Sequence, residues 1–403
     1  MPKPTSMPNP QFYYCKMTLQ LFIGSVMLTA SFSCKKNNGG NTGGGNLPFA
    51  VTFKQEITST CSQIFLSSKH DVMGKPFLYV AAKEGGLKIY DVSSSVVLVK
   101  TIDVSFFAGL HVMNLSQNGN FLYLALGNHL GINIQSPGFA IIDVNDPAAA
   151  FVQSYWMDAA LTGGAGIIET EGNYAYLGAM KNGLKIFDIA NKNLPVLKST
   201  FIPSIAFPDP NPDPAKYNVR GMVIKNNIVY GCYDAGGIRI INTTDKSNPR
   251  QTGKFSNPVM NGKPRAYNNV ILEGNYLYAA VDYCGLEILN VSDTANISLT
   301  SWWNPWNCQA NPFNWFTSDG HANELAFDPA KKLFFISSGK SDLQVVDVND
   351  PAHPAFKYEY GGTSNNIGTW GVSVYEKNIY LTYICSSIPF QSNWTGLKIL
   401  QYN

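Results

Sequence analysis

Short apolar runs in which every second residue is hydrophobic recur from residue 61 to the C-terminus. These runs are rich in aromatic and β-branched residues and are bounded by polar turns, a pattern typical of half-buried strands. One aromatic-rich run recurs seven times, and its equivalent positions are spaced by 44, 53, 54, 48, 57 and 46 residues. These positions are Tyr79, Tyr123, Tyr176, Tyr230, Tyr278, Phe335 and Leu381.

A second run follows each of these strands and has the pattern Gly-Leu-x-Ile-x-Asp-Val. Its copies occupy residues 86–92, 138–144, 183–189, 237–242, 285–291, 342–348 and 396–400, with Asn242 and Asn290 in place of Asp. With one strand before this pair and one after it, each repeat forms a four-stranded antiparallel sheet. Seven such sheets predict a closed β-propeller, because an open stack of blades would leave unpaired edges and uncovered apolar faces.

The last repeat ends after its third strand, at residues 396–400, and therefore lacks a fourth. Residues 48–58 alternate like an outer strand and belong to no other repeat. The sequence therefore predicts an all-β, seven-bladed β-propeller of four-stranded antiparallel blades, closed by the N-terminal strand that completes the last blade.

The third strands resemble those of the LVIVD-repeat family, whose motif is the Leu/Val-Ile-Val-Asp stretch, and the resemblance covers essentially residues 48–403. It implies β-propeller repeats on a secreted or surface protein, mostly without an assigned activity. The motifs of WD40, kelch and sialidase repeats are absent.

The N-terminal residues have the features of a leader. Lys16 precedes an apolar run from Leu19 to Phe32, which is too short for a membrane span and fits a signal peptide. Cys34 and the Gly/Asn-rich tract after it resemble bacterial lipoproteins of the Bacteroidetes type, although Ser31 stands where the lipobox prefers Leu. We expect a signal peptide at 1–33, lipidated Cys34 with a spacer at 34–47, and the propeller at 48–403.

The lipoprotein interpretation predicts a protein of the Gram-negative cell envelope, in the outer membrane or periplasm, that touches the membrane only through its lipid. Simple secretion is the alternative. Without residues 1–33, 27 basic and 27 acidic residues remain. This balance does not favour a nucleic-acid partner, which requires a basic stripe.

Five cysteines follow Cys34 and are expected in an oxidising compartment. Propeller geometry brings Cys284 to the loop that carries Cys308, and Cys61 to the loop of blade seven that carries Cys385. The sequence therefore predicts two disulfides, Cys284–Cys308 and Cys61–Cys385, and leaves Cys232 unpaired. No Cys/His spacing indicates a metal site.

The loops that lead into the first strands are long, as at residues 207–214 and 304–320, whereas the turns on the opposite face are short. Because function is often carried by long loops on a rigid scaffold, we assign the candidate site to the long-loop face. Aligning the first strands predicts a ring of residues around the mouth of the central channel: Ser62, His111, Gly166, Arg220, Arg265, His321 and Trp370.

Arginine and histidine in this ring suggest a site for a carboxylate, sulfate or phosphate group. Such residues could equally bond only to neighbouring blades and water, and the sequence leaves both possibilities open. Four further polar residues are expected close by as partners of the arginines: Asn323, Glu84, Asp234 and Asp282.

The loop before blade six is rich in aromatic residues, including Trp306, Phe313 and Phe316. Trp302 and Trp303 are expected to fill gaps between blades. Trp315 is the better candidate for an exposed platform that stacks on a sugar ring or anchors a partner.

The leading hypothesis is a noncatalytic binding or scaffold propeller that recognises an anionic glycan, peptide or protein, without a cofactor. One alternative is a hydrolase or lyase at the channel mouth, in which His111 and His321 act with Asp282 or Glu84, as an acid/base or metal set. Another is a structural component of an envelope assembly. The sequence alone identifies no catalytic residue.

Overall fold

The computed structural model describes residues 48–310, 318–386, 390 and 392–403. Within these residues the chain forms seven four-stranded antiparallel sheets, each of them one blade. The first strand of each blade packs beside the first strands of its neighbours around a central axis. Blades one to three comprise β2 (Ser67–His70), β3 (Phe77–Ala81), β4 (Leu87–Asp91), β5 (Val97–Ile102); β6 (Val112–Asn118), β7 (Phe121–Leu126), β8 (Gly138–Asp143), β9 (Phe151–Met157); and β10 (Ile167–Glu171), β11 (Tyr174–Gly178), β12 (Leu184–Asp188), β13 (Val196–Phe201).

The remaining blades repeat the same order. They comprise β14 (Gly221–Lys225), β15 (Ile228–Cys232), β16 (Ile238–Asn242), β17 (Arg250–Phe255); β18 (Tyr267–Glu273), β19 (Tyr276–Val281), β20 (Gly285–Asn290), β21 (Ser298–Trp303); β22 (Leu325–Asp328), β23 (Leu333–Ser337), β24 (Leu343–Asp347), β25 (Ala355–Tyr360); and β26 (Thr369–Tyr375), β27 (Asn378–Tyr383), β28 (Gly396–Tyr402) with β1 (Val51–Thr58).

Blade seven closes the ring as the sequence predicted. Its strand order is β1-β28-β27-β26, so the N-terminal strand is the outer strand of the last blade. The pairing runs from Val51 opposite Tyr402 to Thr58 opposite Gly396. Beyond the paired strands, the Ala50 amide donates to Asn403 Oδ1 over 2.9 Å.

The core of the propeller lies between blades. Seven clusters of buried apolar residues each join two neighbouring blades, and together they cover every boundary of the ring. Alternate side chains of one strand enter different clusters: in β3, Tyr79 packs towards blade two and Leu78 towards blade seven. The period-two pattern of the sequence is thus the consequence of burying both faces of every blade.

The repeated Asp of the third strand begins the turn to the fourth strand. Asp91 Oδ1 accepts from the Ser93 amide over 2.8 Å, and Asn242 Oδ1 accepts from the Thr244 amide over 2.9 Å. The same bond occurs in four other blades. Because Asn and Asp both offer this side-chain oxygen, Asn replaces Asp in two blades without loss of the turn.

The Gly at the start of the third strand is required for a steric reason. In blades one, three, four and five it takes a φ between 74° and 81°. A Cβ there would collide with a carbonyl oxygen at the end of the fourth strand, such as that of Ile102 in blade one. Blade six has Asp342 at this position, with φ of 60°, and its carboxylate accepts from Tyr383 over 2.7 Å.

Short 3-10 turns occur in the connections at Val104–Phe107, Pro147–Ala149, Pro214–Lys216, Pro258–Met260, Asp282–Cys284 and Thr363–Asn365. No helix in the described ranges is both long and apolar enough to span a membrane. The expected leader, lipidation at Cys34 and spacer all fall on residues 1–47, outside the described residues.

Candidate functional site at the channel mouth

The two faces of the propeller differ as the sequence predicted. On one face, residues 202–220 connect blades three and four, and residues 304–324 connect blades five and six. On the other, the first and second strands are joined by two residues in five blades, such as Asn226 and Asn227 in blade four, by four in blade six and by six in blade one. The long-loop face therefore carries most of the irregular backbone around the channel.

One backbone position repeats at the start of each first strand on this face. In blades two, five and seven it is the extra residue of a β-bulge, at Met113, Asn268 and Trp370. In the other blades its amide donates to the last carbonyl of the second strand. We call these residues the ring positions: Leu66, Met113, Gly166, Arg220, Asn268, Asn323 and Trp370.

The ring positions refine the alignment made from sequence. Gly166, Arg220 and Trp370 are ring positions as expected. Ser62, His111, Arg265 and His321 precede the ring positions of their blades by two to four residues. Two of the four displaced ring positions, Met113 and Asn268, lie at β-bulges, which have no sequence signal of their own.

The ring positions divide by chemistry. Leu66, Met113 and Trp370, in blades one, two and seven, belong to one apolar cluster with Ile384 and Phe390. On the other side, the side-chain amide of Asn268 donates to the Ala322 carbonyl, and the side-chain amide of Asn323 donates to the Thr369 carbonyl, each over 2.9 Å. The two asparagines join blades five, six and seven.

Arg220 extends from blade four to Trp370 of blade seven. Its guanidinium carbon lies 5.7 Å from the centre of the indole ring, within cation–π range. Arg220 is half-buried. Among the described residues, nothing hydrogen-bonds its guanidinium or lies within ion-pair distance of it. This cation at the channel mouth therefore retains its hydrogen-bond donors.

Two buried acids, Asp234 and Glu324, interact with Arg220 from beyond ion-pair distance. Burial raises the pKa of Asp234 and raises that of Glu324 to about 8, although the Arg220 charge opposes both shifts. Asn218 donates to Asp234 over 3.0 Å, and Asn114 donates to Glu324 over 3.4 Å. At neutral pH Glu324 is mostly protonated and does not neutralise the arginine.

Arg265 is part of the wall of the mouth. Its side chain is 1% exposed, and Nη2 lies 2.8 Å from Asp209 Oδ1 in the loop between blades three and four. Nη1 donates to the Met260 carbonyl over 2.6 Å and to the Lys263 carbonyl over 3.3 Å. Its ion-pair partner is thus Asp209, and not Glu84, Asp234 or Asp282 as the sequence suggested.

His321 is buried beside Asp282. Its Nδ1 lies 2.7 Å from Asp282 Oδ1, and its ring packs edge-on against Phe390 at 5.0 Å. Phe390 in turn lies 6.5 Å from Trp370. His321, Phe390 and Trp370 therefore form an aromatic arc that ends at Arg220.

His111 lies on the blade-two side, with Nδ1 3.7 Å from Glu84 Oε1. Burial lowers the pKa of His111 despite the Glu84 charge, and Lys83, which contacts Glu84, adds to the lowering. His129, which sequence reasoning did not select, has its Nδ1 3.1 Å from the Ala165 carbonyl. Burial, with the charge of Arg220, lowers the pKa of His129 to about 3.

The other candidates have structural positions. Ser62 is exposed, with its hydroxyl 2.9 Å from that of Thr60, and Gly166 is half-buried. Trp302 packs in the cluster between blades four and five, and Trp303 in that between blades five and six, so both fill gaps as predicted. Trp315 lies outside the described residues.

Both disulfides join the pairs that the sequence suggested. Cys61 is bonded to Cys385 and Cys284 to Cys308, each with a Cα–Cα distance of 5.3 Å. Cys232 is unpaired and fully buried. The first disulfide joins blades one and seven, and the second ties a long loop to blade five.

The described residues include no cluster of three or more His, Cys, Asp or Glu side chains that could hold a metal ion. Two cavities lie away from the axis, one of about 460 Å³ between blades three and four and one of about 680 Å³ between blades six and seven on the short-turn face. Nothing in the described geometry indicates catalysis.

The comparisons agree with this architecture. Seven closed four-stranded blades define a seven-bladed β-propeller. Within it, the model of the LVIVD repeat matches residues 72–104, 162–202, 264–304 and 333–361. These matches fall in blades one, three, five and six. No curated protein matches it by sequence.

Solved structures resemble the chain in fold alone. A chain of the mitotic checkpoint complex is 12% identical, with a TM-score of 0.56 over 94% of this chain and 99% of that one. Sqt1 of Saccharomyces cerevisiae is 8% identical, with a TM-score of 0.57 over 82% of this chain and 83% of that one. The Cps50 (Swd1) β-propeller domain of Myceliophteria thermophila is 11% identical, with a TM-score of 0.59 over 87% of this chain and 99% of that one.

Proposed function

We propose that this protein is a noncatalytic binding propeller of the cell envelope. Its long-loop face would hold a carboxylate or sulfate group of a glycan, peptide or protein against Arg220. The observation that carries the proposal is the state of this arginine, which is half-buried on Trp370 without a described hydrogen-bond or ion-pair partner. A guanidinium in this state offers paired donors to a planar anion.

The apolar side of the mouth supplies the second half of the site. Ile64, Leu130 and Trp370 are only partly buried on the cluster that also contains Met113. A ligand that carries its charge beside a flat or apolar surface would contact Arg220 and this cluster together. The envelope location is supported by the leader-like N-terminus and by the two disulfides.

The test is binding of the purified protein to arrays of sulfated and carboxylated glycans and acidic peptides, each beside its uncharged analogue. We expect binding to charged members only, and a loss of about 10- to 100-fold in affinity for Arg220→Gln. Arg250→Gln, an exposed charge on β17, is the matched control and should bind like the wild type. Equal retention of Arg220→Gln on every anionic ligand would reject the proposal.

The blade rims favour a second candidate, a structural component of an envelope assembly. The outer strands of three consecutive blades expose apolar side chains, including Val97 at 51%, Phe151 at 53% and Val196 at 49%. Exposed apolar surface of this kind is typical of interaction sites. Sedimentation equilibrium of wild type and Phe151→Ser tests it: concentration-dependent assembly that the substitution weakens would support this role.

A further inference from the structure

The cavity between blades three and four lies off the axis and outside the Arg220 site. It has a volume of about 460 Å³, within the range of sites that hold small organic molecules. Its apolar wall comes from the loop after β13, at Ile202, Pro203 and Ile205, and from Pro214. Lys181 and Tyr217 complete the rim, and Tyr233 lies deeper.

Tyr233, one of the residues that line this cavity, carries an unused hydrogen-bond donor. Its side chain is fully buried, and within the described part of the chain its hydroxyl has no hydrogen-bond partner. A buried hydroxyl without a partner is unfavourable, so such groups are rare unless a ligand or water bonds to them. Burial raises the pKa of Tyr233, which keeps the hydroxyl protonated and able to donate.

A buried cation interacts electrostatically with the tyrosine. Arg239 is 1% exposed, and its charge opposes the upward shift in the pKa of Tyr233. Nη2 donates to the Phe207 carbonyl over 2.7 Å, and Nη1 lies 3.5 Å from Gln251 Oε1. No carboxylate in the described residues lies within ion-pair distance of Arg239. A buried charge without a counterion is strongly unfavourable.

One charged residue lines the cavity, Lys181 at its rim, and none of the lining residues is acidic. The nearby Asp209 is paired with Arg265. The cavity thus combines an apolar wall, a lysine and a buried tyrosine hydroxyl, and the charge of Arg239 acts on that tyrosine.

We propose that this cavity binds a small organic carboxylate, with its apolar body against Ile202 and Ile205 and its carboxylate on the Tyr233 hydroxyl between Lys181 and Arg239. This site is independent of the proposed channel-mouth site. A ligand here would also join the loop between blades three and four to the edge of blade three, because its walls come from both.

The probes are octanoate and benzoate, each compared with its uncharged amide by isothermal titration calorimetry on the purified protein. We expect at least one carboxylate to bind with one site per chain and at least ten-fold more tightly than its amide. Tyr233→Phe should weaken carboxylate binding about ten-fold. It should leave the thermal midpoint unchanged or slightly higher, because the hydroxyl it removes bonds to no described residue.

Matched controls separate this site from general effects. Lys181→Gln should weaken binding several-fold, whereas Lys198→Gln, an exposed lysine on β13, should not. Tyr155→Phe, which removes an exposed hydroxyl on β9, should also bind normally. Arg220→Gln should leave this binding intact, so failure here and failure at the channel mouth are distinguishable.

Three outcomes would overturn the proposal. They are the absence of saturable binding of either carboxylate at millimolar concentration, equal binding of carboxylate and amide, and wild-type affinity in both Tyr233→Phe and Lys181→Gln. If Tyr233→Phe is destabilised, Lys181→Gln still tests the site, because Lys181 is exposed on the surface.

Discussion

Arg220 and Arg265 precede the first strands of neighbouring blades, and the sequence places both at the channel mouth. In the structure Arg220 occupies a ring position and lies over Trp370, half-buried and without an ionic partner among the described residues. Arg265 stands three residues before the ring position Asn268 and is enclosed by Asp209 and two carbonyls. Register relative to the ring position, more than residue type, decides whether an arginine supports the wall or faces a ligand.

The largest expected effect comes from removing the enclosed arginine. Arg265→Ala leaves Asp209 and two loop carbonyls without their partner, and should lower the free energy of unfolding by about 3 kcal/mol or more. Denaturant titration measures this. Arg250→Ala, an exposed charge, should change the same quantity by less than about 0.5 kcal/mol. A loss below about 1 kcal/mol for Arg265→Ala would contradict the supporting role.

Blade five should also give a pH dependence, because Glu287 is fully buried beside the Arg265 wall. Burial raises the pKa of Glu287 to about 7, although Asn257 and Tyr267 donate to it over 2.7 and 2.8 Å. The folded state therefore holds this proton more tightly than the unfolded state. Stability should fall as pH rises from about 4.5 to 7, by on the order of 2–3 kcal/mol from this group.

Glu287→Gln isolates that contribution, because the amide does not titrate. Denaturant titrations between pH 4 and 8 should show a shallower fall for this variant than for the wild type. Some slope should remain, since burial also raises the pKa of Asp342 to about 6. Glu56→Gln, on the exposed side of β1, should keep the wild-type slope. Parallel curves for Glu287→Gln and the wild type would contradict the expectation.

A smaller effect is expected from the partner of Arg265. Asp209→Asn removes the negative charge and keeps the shape, and Arg265 retains the Met260 and Lys263 carbonyls. Asp209 is 33% exposed, so water screens part of the pair. Denaturant titration should show a loss of about 1–2 kcal/mol in the free energy of unfolding. A loss equal to that of Arg265→Ala would mean that the carbonyl bonds contribute little.

The smallest effect on stability should come from Arg220→Ala. Its main described contact is the indole of Trp370, and an exposed cation–π contact contributes about 0.5–1 kcal/mol. Thermal unfolding should therefore change little while anion binding is lost. If Arg220→Ala destabilises the protein as much as Arg265→Ala, the contrast between the two arginines fails.

Architecture was predictable from sequence because it repeats. Seven equivalent strand pairs gave the blade number, and the missing fourth strand after β28 identified β1 as its replacement. The two disulfides followed from the loops that adjacent blades share. The hydrophobic periodicity indicates which faces of each strand are buried, and the blade number and the ring closure follow from it.

The site was only partly predictable because it depends on irregular backbone. In the two blades with bulges at Met113 and Asn268, the ring positions lie two and three residues after the residues that a simple alignment selects. The pairing of Arg265 with Asp209 joins two loops that are 56 residues apart and have no common pattern. Tyr233 directly follows β15 and has no sequence signal of its own, and only the structure shows that its buried hydroxyl lacks a described partner.

The clasp formed by β1 and β28 has a consequence for the order of folding. β1 precedes every other strand in the chain, but its partner β28 follows all of blades one to six, and the Cys61–Cys385 bond spans 324 residues. Blades one to six can pair their own strands as they appear, whereas blade seven must wait for β28. Until then β1 has an unpaired edge, on which Lys54 and Glu56 are exposed charges that disfavour association between chains.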